Sequence, residues 1–98
     1  MRVRFHVHAR REMHKEFDYY ERRELGLGMD FLSDVQSCVA EIKGAPLMRK
    51  EIAPEIRRYR CSRFPFALIY RVRGEEIVIV AVAHSKRKPR YWARRISD

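Results

Sequence analysis

The residues whose types could do chemistry crowd into one stretch near the C-terminus. Ala81, Val82 and Ala83 lead into His84, and Lys86, Arg87, Lys88, Arg90, Arg94 and Arg95 follow around Tyr91 and Trp92. Histidine is the side chain whose ordinary titration falls near neutrality, which makes His84 the first candidate for proton transfer, with Tyr91, Lys86 and Lys88 behind it. Guanidinium groups hold phosphate or carboxylate through paired N–H donors but stay protonated, so the arginines can grip an anion and cannot act as bases. Plainer readings stand beside these. The run can be a solvated basic tail, His84 can end a strand with a hydrogen bond, and Trp92 can pack back on the protein or anchor a partner.

Other constellations carry less. His6 and His8 share one face of an alternating segment, but no Cys or acid supplies a third ligand, so no metal site is expected. Glu12, Glu16 and Asp18 interleave with Arg11, Lys15 and Arg22 and read as the wet face of a helix. Cys38 and Cys61 fall in different elements without metal-type spacing and read as reduced, buried thiols. No cofactor is implied.

Charge is distributed unevenly. Residues 1–44 hold eight Lys/Arg against eight Asp/Glu, and residues 45–98 hold fourteen against five, so the net charge of +9 sits in the second half. Such an excess marks a face for an acidic partner: nucleic acid, an anionic membrane or an acidic protein segment. With 98 residues and 46% hydrophobic content the chain suits one domain, spanning residues 1–98. The longest apolar run, Ile77 to Ala83, is too short for a membrane span, and the N-terminus does not resemble a signal peptide, so a soluble, cytoplasmic protein is expected.

The elements that must position these residues follow from hydrophobic period. Val3, Phe5 and Val7 alternate with Arg2, Arg4, His6 and His8, giving a strand over 2–7. Ala9, Met13, Phe17 and Tyr20 recur at helical spacing up to about Leu25, and Met29, Leu32, Val35, Val39 and Ile42 form a second stripe that Gly44 and Pro46 stop. The short connection between them makes a helix hairpin. Residues 45–55 read as a surface connection, and strands follow over 56–63, 65–73 and 76–83. The result is an α+β fold of two layers in the order β-α-α-β-β-β, with the hairpin on one face of a largely antiparallel sheet and a basic C-terminal tail. Arg58 and Arg60 then lie on the opposite face, read as open, where with the tail they would line a positive groove.

The chain resembles the RelE/ParE superfamily of toxins from bacterial type II toxin–antitoxin systems. The resemblance runs over nearly the whole chain and is carried by Tyr19-Tyr20-Glu21, Gly26-Leu27-Gly28 with Phe31, and Arg57-Arg58 leading to Arg63-Phe64-Pro65-Phe66. It continues through Ile69-Tyr70-Arg71-Val72 and Ala81-Val82-Ala83-His84, with Arg87, Pro89, Tyr91, Trp92 and Arg95. It implies the same fold, a cognate antitoxin with an acidic segment, a possible toxin–antitoxin hetero-oligomer and a target tied to growth arrest. RelE-like members cleave mRNA on the ribosome, which requires a base for the ribose 2′-hydroxyl, a clamp on the phosphate and an acid for the leaving oxygen. Here Arg58 and Arg60 stand where those members resemble one another in carrying lysines, and Ala67 stands near their arginine, so the nuclease set would reduce to His84, Tyr91 and Arg87. ParE-like members poison DNA gyrase, and the quoted segments look closer to that branch. On this reading Arg58, Arg60, Arg63, Arg71, Lys86, Arg87, Arg90, Tyr91, Trp92 and Arg95 bind the target or the antitoxin. The alternatives are the ribosome-dependent endoribonuclease and a non-catalytic nucleic-acid-binding module.

Overall fold

The computed structural model describes residues 1–97. Strand β1 (Arg2–Phe5) is followed by helices α1 (Val7–Arg23) and α2 (Leu27–Gly44). Strands β2 (Glu51–Ala53), β3 (Ile56–Arg60), β4 (Phe66–Arg73) and β5 (Glu76–His84) come next, and a final 3-10 turn spans Ala93–Ser97. The sheet order is β1-β5-β4-β3-β2, parallel between β1 and β5 and antiparallel elsewhere. The α+β architecture expected from hydrophobic period is therefore present, with one strand more. That strand, β2, lies inside the segment read as a surface connection. Three residues ahead of Pro54 are too few to display a period, and β2 forms by pairing with β3.

Each boundary that moved has a local cause. β1 stops at Phe5 because the His6 imidazole caps α1, its Nδ1 accepting the His8 N–H at 3.1 Å. β3 stops at Arg60 because the next residues are drawn onto α2. There the buried Asp34 carboxylate accepts from the Ser62 hydroxyl at 3.2 Å, from Arg63 N–H at 3.2 Å and from Phe64 N–H at 2.8 Å. The helix hairpin closes through Glu21, whose carboxylate accepts the N–H groups of Gly26 and Gly28, each at 3.0 Å, at the start of α2. Gly26 turns with φ 90°, a left-handed conformation that glycine adopts without steric cost.

Both sheet faces are covered. Phe31, Val35 and Ile42 of α2 pack on Leu68, Tyr70, Ile77 and Ile79 to form the main core. The opposite face, read from sequence as open, carries a second cluster in which Trp92, 3% exposed, packs on Ile56, Ile69, Val78, Val80 and Ala81, with Tyr91 and Ile96 beside it. A bulge makes this possible: Ile69 pairs with Ala81 and Tyr70 with Ile79, so Val80 is an extra residue, and Val80 and Ala81 both join the second cluster. The segment read as a basic tail is thus held on the sheet. Among the described residues no helix is long and apolar enough to cross a membrane, and no group of three or more His, Cys, Asp or Glu is placed to hold a metal ion.

Candidate binding groove

What is left of the second sheet face is a groove of about 420 Å³. Its floor is Ala67 and Ile69 of β4 with Ala83 of β5, its walls are Arg58 and Arg60 on one side and Arg87, Lys88, Arg90, Tyr91 and Trp92 on the other, and Ile52 and Pro65 stand at the ends, while the Phe66 ring beside it packs into the main core. β3 sets the first wall by strand alternation: Tyr59 packs into the main core while Arg58 and Arg60 project the opposite way. The second wall depends on the turns after His84 and on Arg90, whose φ of 64° is a left-handed conformation uncommon for a non-glycine residue.

Two of the four candidates for proton transfer, His84 and Tyr91, each have a hydrogen-bonding atom engaged, while Lys86 is exposed and Lys88 lines the groove. His84 sits at the end of β5 with its ring edge-on to Phe66, centroids 5.0 Å apart, and its Nδ1 accepts the Lys86 N–H at 3.0 Å. That bond puts the proton of the neutral ring on Nε2, so the nitrogen a general base would use is already occupied. The Tyr91 hydroxyl donates to Glu12 Oε2 at 2.7 Å, and burial, reinforced by this bond and the Glu12 charge, pushes the phenol above its ordinary value. The guanidinium of Arg87 lies 3.8 Å from the Tyr91 ring centroid and that of Arg95 lies 5.1 Å from it.

Glu12 organises this corner and was missed in the sequence, where it looked like part of the wet face of α1. Its carboxylate accepts from Arg95 through two bonds of 2.9 Å, from the Tyr91 hydroxyl, and from Val82 N–H at 3.0 Å. Arg95 donates a further bond to the Val80 carbonyl at 3.1 Å. Val80 and Val82 lie on β5 beyond Ile79, where the pairing with β1 ends. Glu12 and Arg95 therefore fill the hydrogen-bonding positions a longer β1 would have filled. No local signal announces a contact across 70 to 83 residues.

The structure brings some of the expected binding residues together and separates others. Arg58, Arg60, Arg87, Arg90, Tyr91 and Trp92 share the groove with His84. Four positions lie outside it. Arg63 is in the turn held by Asp34, its guanidinium 6.0 Å from the Phe64 ring. Lys86 is exposed and touches His84 through its backbone N–H. Arg71 is buried and donates to the Ile96 carbonyl at 3.1 Å, with burial pulling its pKa down. Arg95 is turned toward Glu12, and the bonds it donates to that carboxylate raise its pKa.

A sequence model described as the ParE toxin of the type II toxin–antitoxin system parDE matches residues 3–89. The chain belongs to the ParE toxin family. Its fold is also that of a chain in the structure of the chromosomal ParDE toxin–antitoxin system from P. aeruginosa, with a TM-score of 0.64 and 24% identity over 88% of this chain and 97% of that one. No curated protein matches. The ParE-family match ends at Pro89, before Tyr91, Trp92 and Arg95, and so does not extend over the residues that clasp Glu12.

Proposed function

We propose that this ParE-family toxin arrests growth in the cytoplasm by inhibiting DNA gyrase, and that a cognate antitoxin neutralises it by laying an acidic, partly helical segment in the basic groove. The observation that carries the reading is the state of His84 and Tyr91, the first two candidates for proton transfer. His84 Nδ1 is taken by Lys86 N–H and the Tyr91 hydroxyl by Glu12, while Arg58, Arg60, Arg87 and Arg90 line the walls. That arrangement favours gripping over hydrolysis: the guanidiniums suit carboxylates, and the floor of Ala67 and Ile69 suits apolar side chains between them.

The test is to incubate the purified toxin with gyrase and plasmid. Inhibited supercoiling or a trapped cleaved complex is expected, and relief by the antitoxin should be lost in the Arg58→Glu, Arg60→Glu double variant. Unimpaired gyrase would overturn the target. Transcript ends mapped after induction decide the endoribonuclease alternative: intact messages are expected, and new ends at ribosome-bound codons would establish cleavage in its place.

A further inference from the structure

On the far side of His84 lies a second cavity of about 260 Å³, between the first turns of α1 and the end of β5. His84 and Arg87 line both cavities, so the basic surface does not stop at the groove but turns round the end of the strand. We propose that the antitoxin segment occupies both, continuing from the groove past His84 as an extended chain whose carboxylates meet Arg11 and Lys15. This rests on the antitoxin reading above and adds to it a second contact region on α1.

Three features carry the extension. The first is charge: Glu12 and Arg95 neutralise one another through their paired bonds, leaving Arg11, Lys15 and Arg87 against Glu16 alone. The second is chemistry. Glu16 repels a phosphate chain but accepts from the backbone N–H or basic side chain of a peptide, and the first groove, with the exposed Ile52 and Pro65 among its lining, has places for apolar side chains. The third is shape: an α-helix is a straight rod about 10 Å across, whereas extended chain can bend round a strand end.

The experiment measures binding of the full-length toxin to the antitoxin, the probe being the small acidic-tailed protein that an adjoining reading frame of a toxin–antitoxin pair would encode. The Arg11→Glu, Lys15→Glu double variant should bind roughly tenfold more weakly, with a shallower salt dependence. The Arg10→Glu, Arg22→Glu variant alters net charge equally at exposed positions outside both cavities and should bind like the parent. If the antitoxin binds tightly and the Arg11, Lys15 variant matches the control variant, the extension is wrong while the groove reading stands. If the parent protein does not bind the antitoxin, both fail. If single-stranded oligo-dT binds and loses affinity on the Arg11, Lys15 change while the antitoxin does not, the second cavity takes nucleic acid and the proposal is overturned.

Discussion

Glu12 and Arg95 stand 83 residues apart in sequence and meet through two parallel hydrogen bonds of 2.9 Å. Their side chains are only 15% and 14% exposed, so the pair is largely desolvated and removing one partner strands the other. Glu12→Ala should cost about 3 kcal/mol in urea unfolding, because Arg95, Tyr91 and Val82 N–H lose their acceptor together. A loss below about 1 kcal/mol would mean that water replaces the carboxylate freely.

Tyr91 makes a prediction about alkaline pH. Its phenol is raised above the ordinary value of 10.0, chiefly by burial and then by the Glu12 bond, so the fold prefers the protonated form. Stabilisation from this preference is complete below pH 10.0 and drains away as pH rises past it toward the folded-state value. Tyr20 and Tyr70 are shifted the same way, so the parent protein weakens on the alkaline side and Tyr91→Phe removes only part of that slope. At about pH 8 the same variant should lose about 1 kcal/mol with its hydrogen bond. Urea midpoints from about pH 8 to about pH 11 read both effects.

Asp34 is buried, and its acceptor capacity goes to the turn after β3. Asp34→Ala should destabilise by about 2–4 kcal/mol, since the N–H groups of Arg63 and Phe64 lose a charged acceptor. Hydrogen exchange at those two amides should accelerate more than at the β4–β5 ladder. Uniform acceleration would show that the turn opens only with global unfolding.

Two glycines in one helix should respond with opposite signs. A Cβ on Gly28 would sit 2.9 Å from the Phe17 carbonyl oxygen and 2.9 Å from Phe17 Cε2, and the backbone atom cannot step aside, so Gly28→Ala should cost about 1–3 kcal/mol. At Gly44 a Cβ meets nothing within 4 Å, and alanine should stabilise by about 0.5 kcal/mol through helix propensity. Thermal unfolding of the two variants checks both.

The sequence made the layers legible because both helices and β3 repeat their hydrophobic period over several residues, and the segments of β4 and β5 are apolar on both faces as central strands are. Ala9, Val35 and Ile42 lie in the core where that period places them, whereas Met29, the first residue of the second stripe, is exposed and Phe31, outside the stripe, is fully buried. The groove wall of Arg58 and Arg60 was legible for the same reason, strand alternation beside Tyr59. What stayed hidden depends on contacts distant in sequence. β2 exists only as a partner of β3, Trp92 is buried against strand residues 11 to 36 positions away in sequence, and Glu12 differs from Glu16 only because Arg95 and Tyr91 arrive from the far end of the chain. Charge alone could not sort the arginines, since Arg71 and Arg95 serve the structure while Arg87 and Arg90 face the groove.

The segment from Ile77 to Ala83 is uncharged, β-branched or small at every position, the composition that stacks into fibres when its edge is bare. β1 shields its first residues, and beyond Ile79 the Val80 carbonyl and Val82 N–H are taken by Arg95 and Glu12. The ion pair thus acts as a gatekeeper, placing a plus and a minus charge where another molecule's strand would otherwise add itself. At Val80 and Val82, beyond the last residue paired with β1, the strand therefore presents satisfied backbone groups in place of a bare edge.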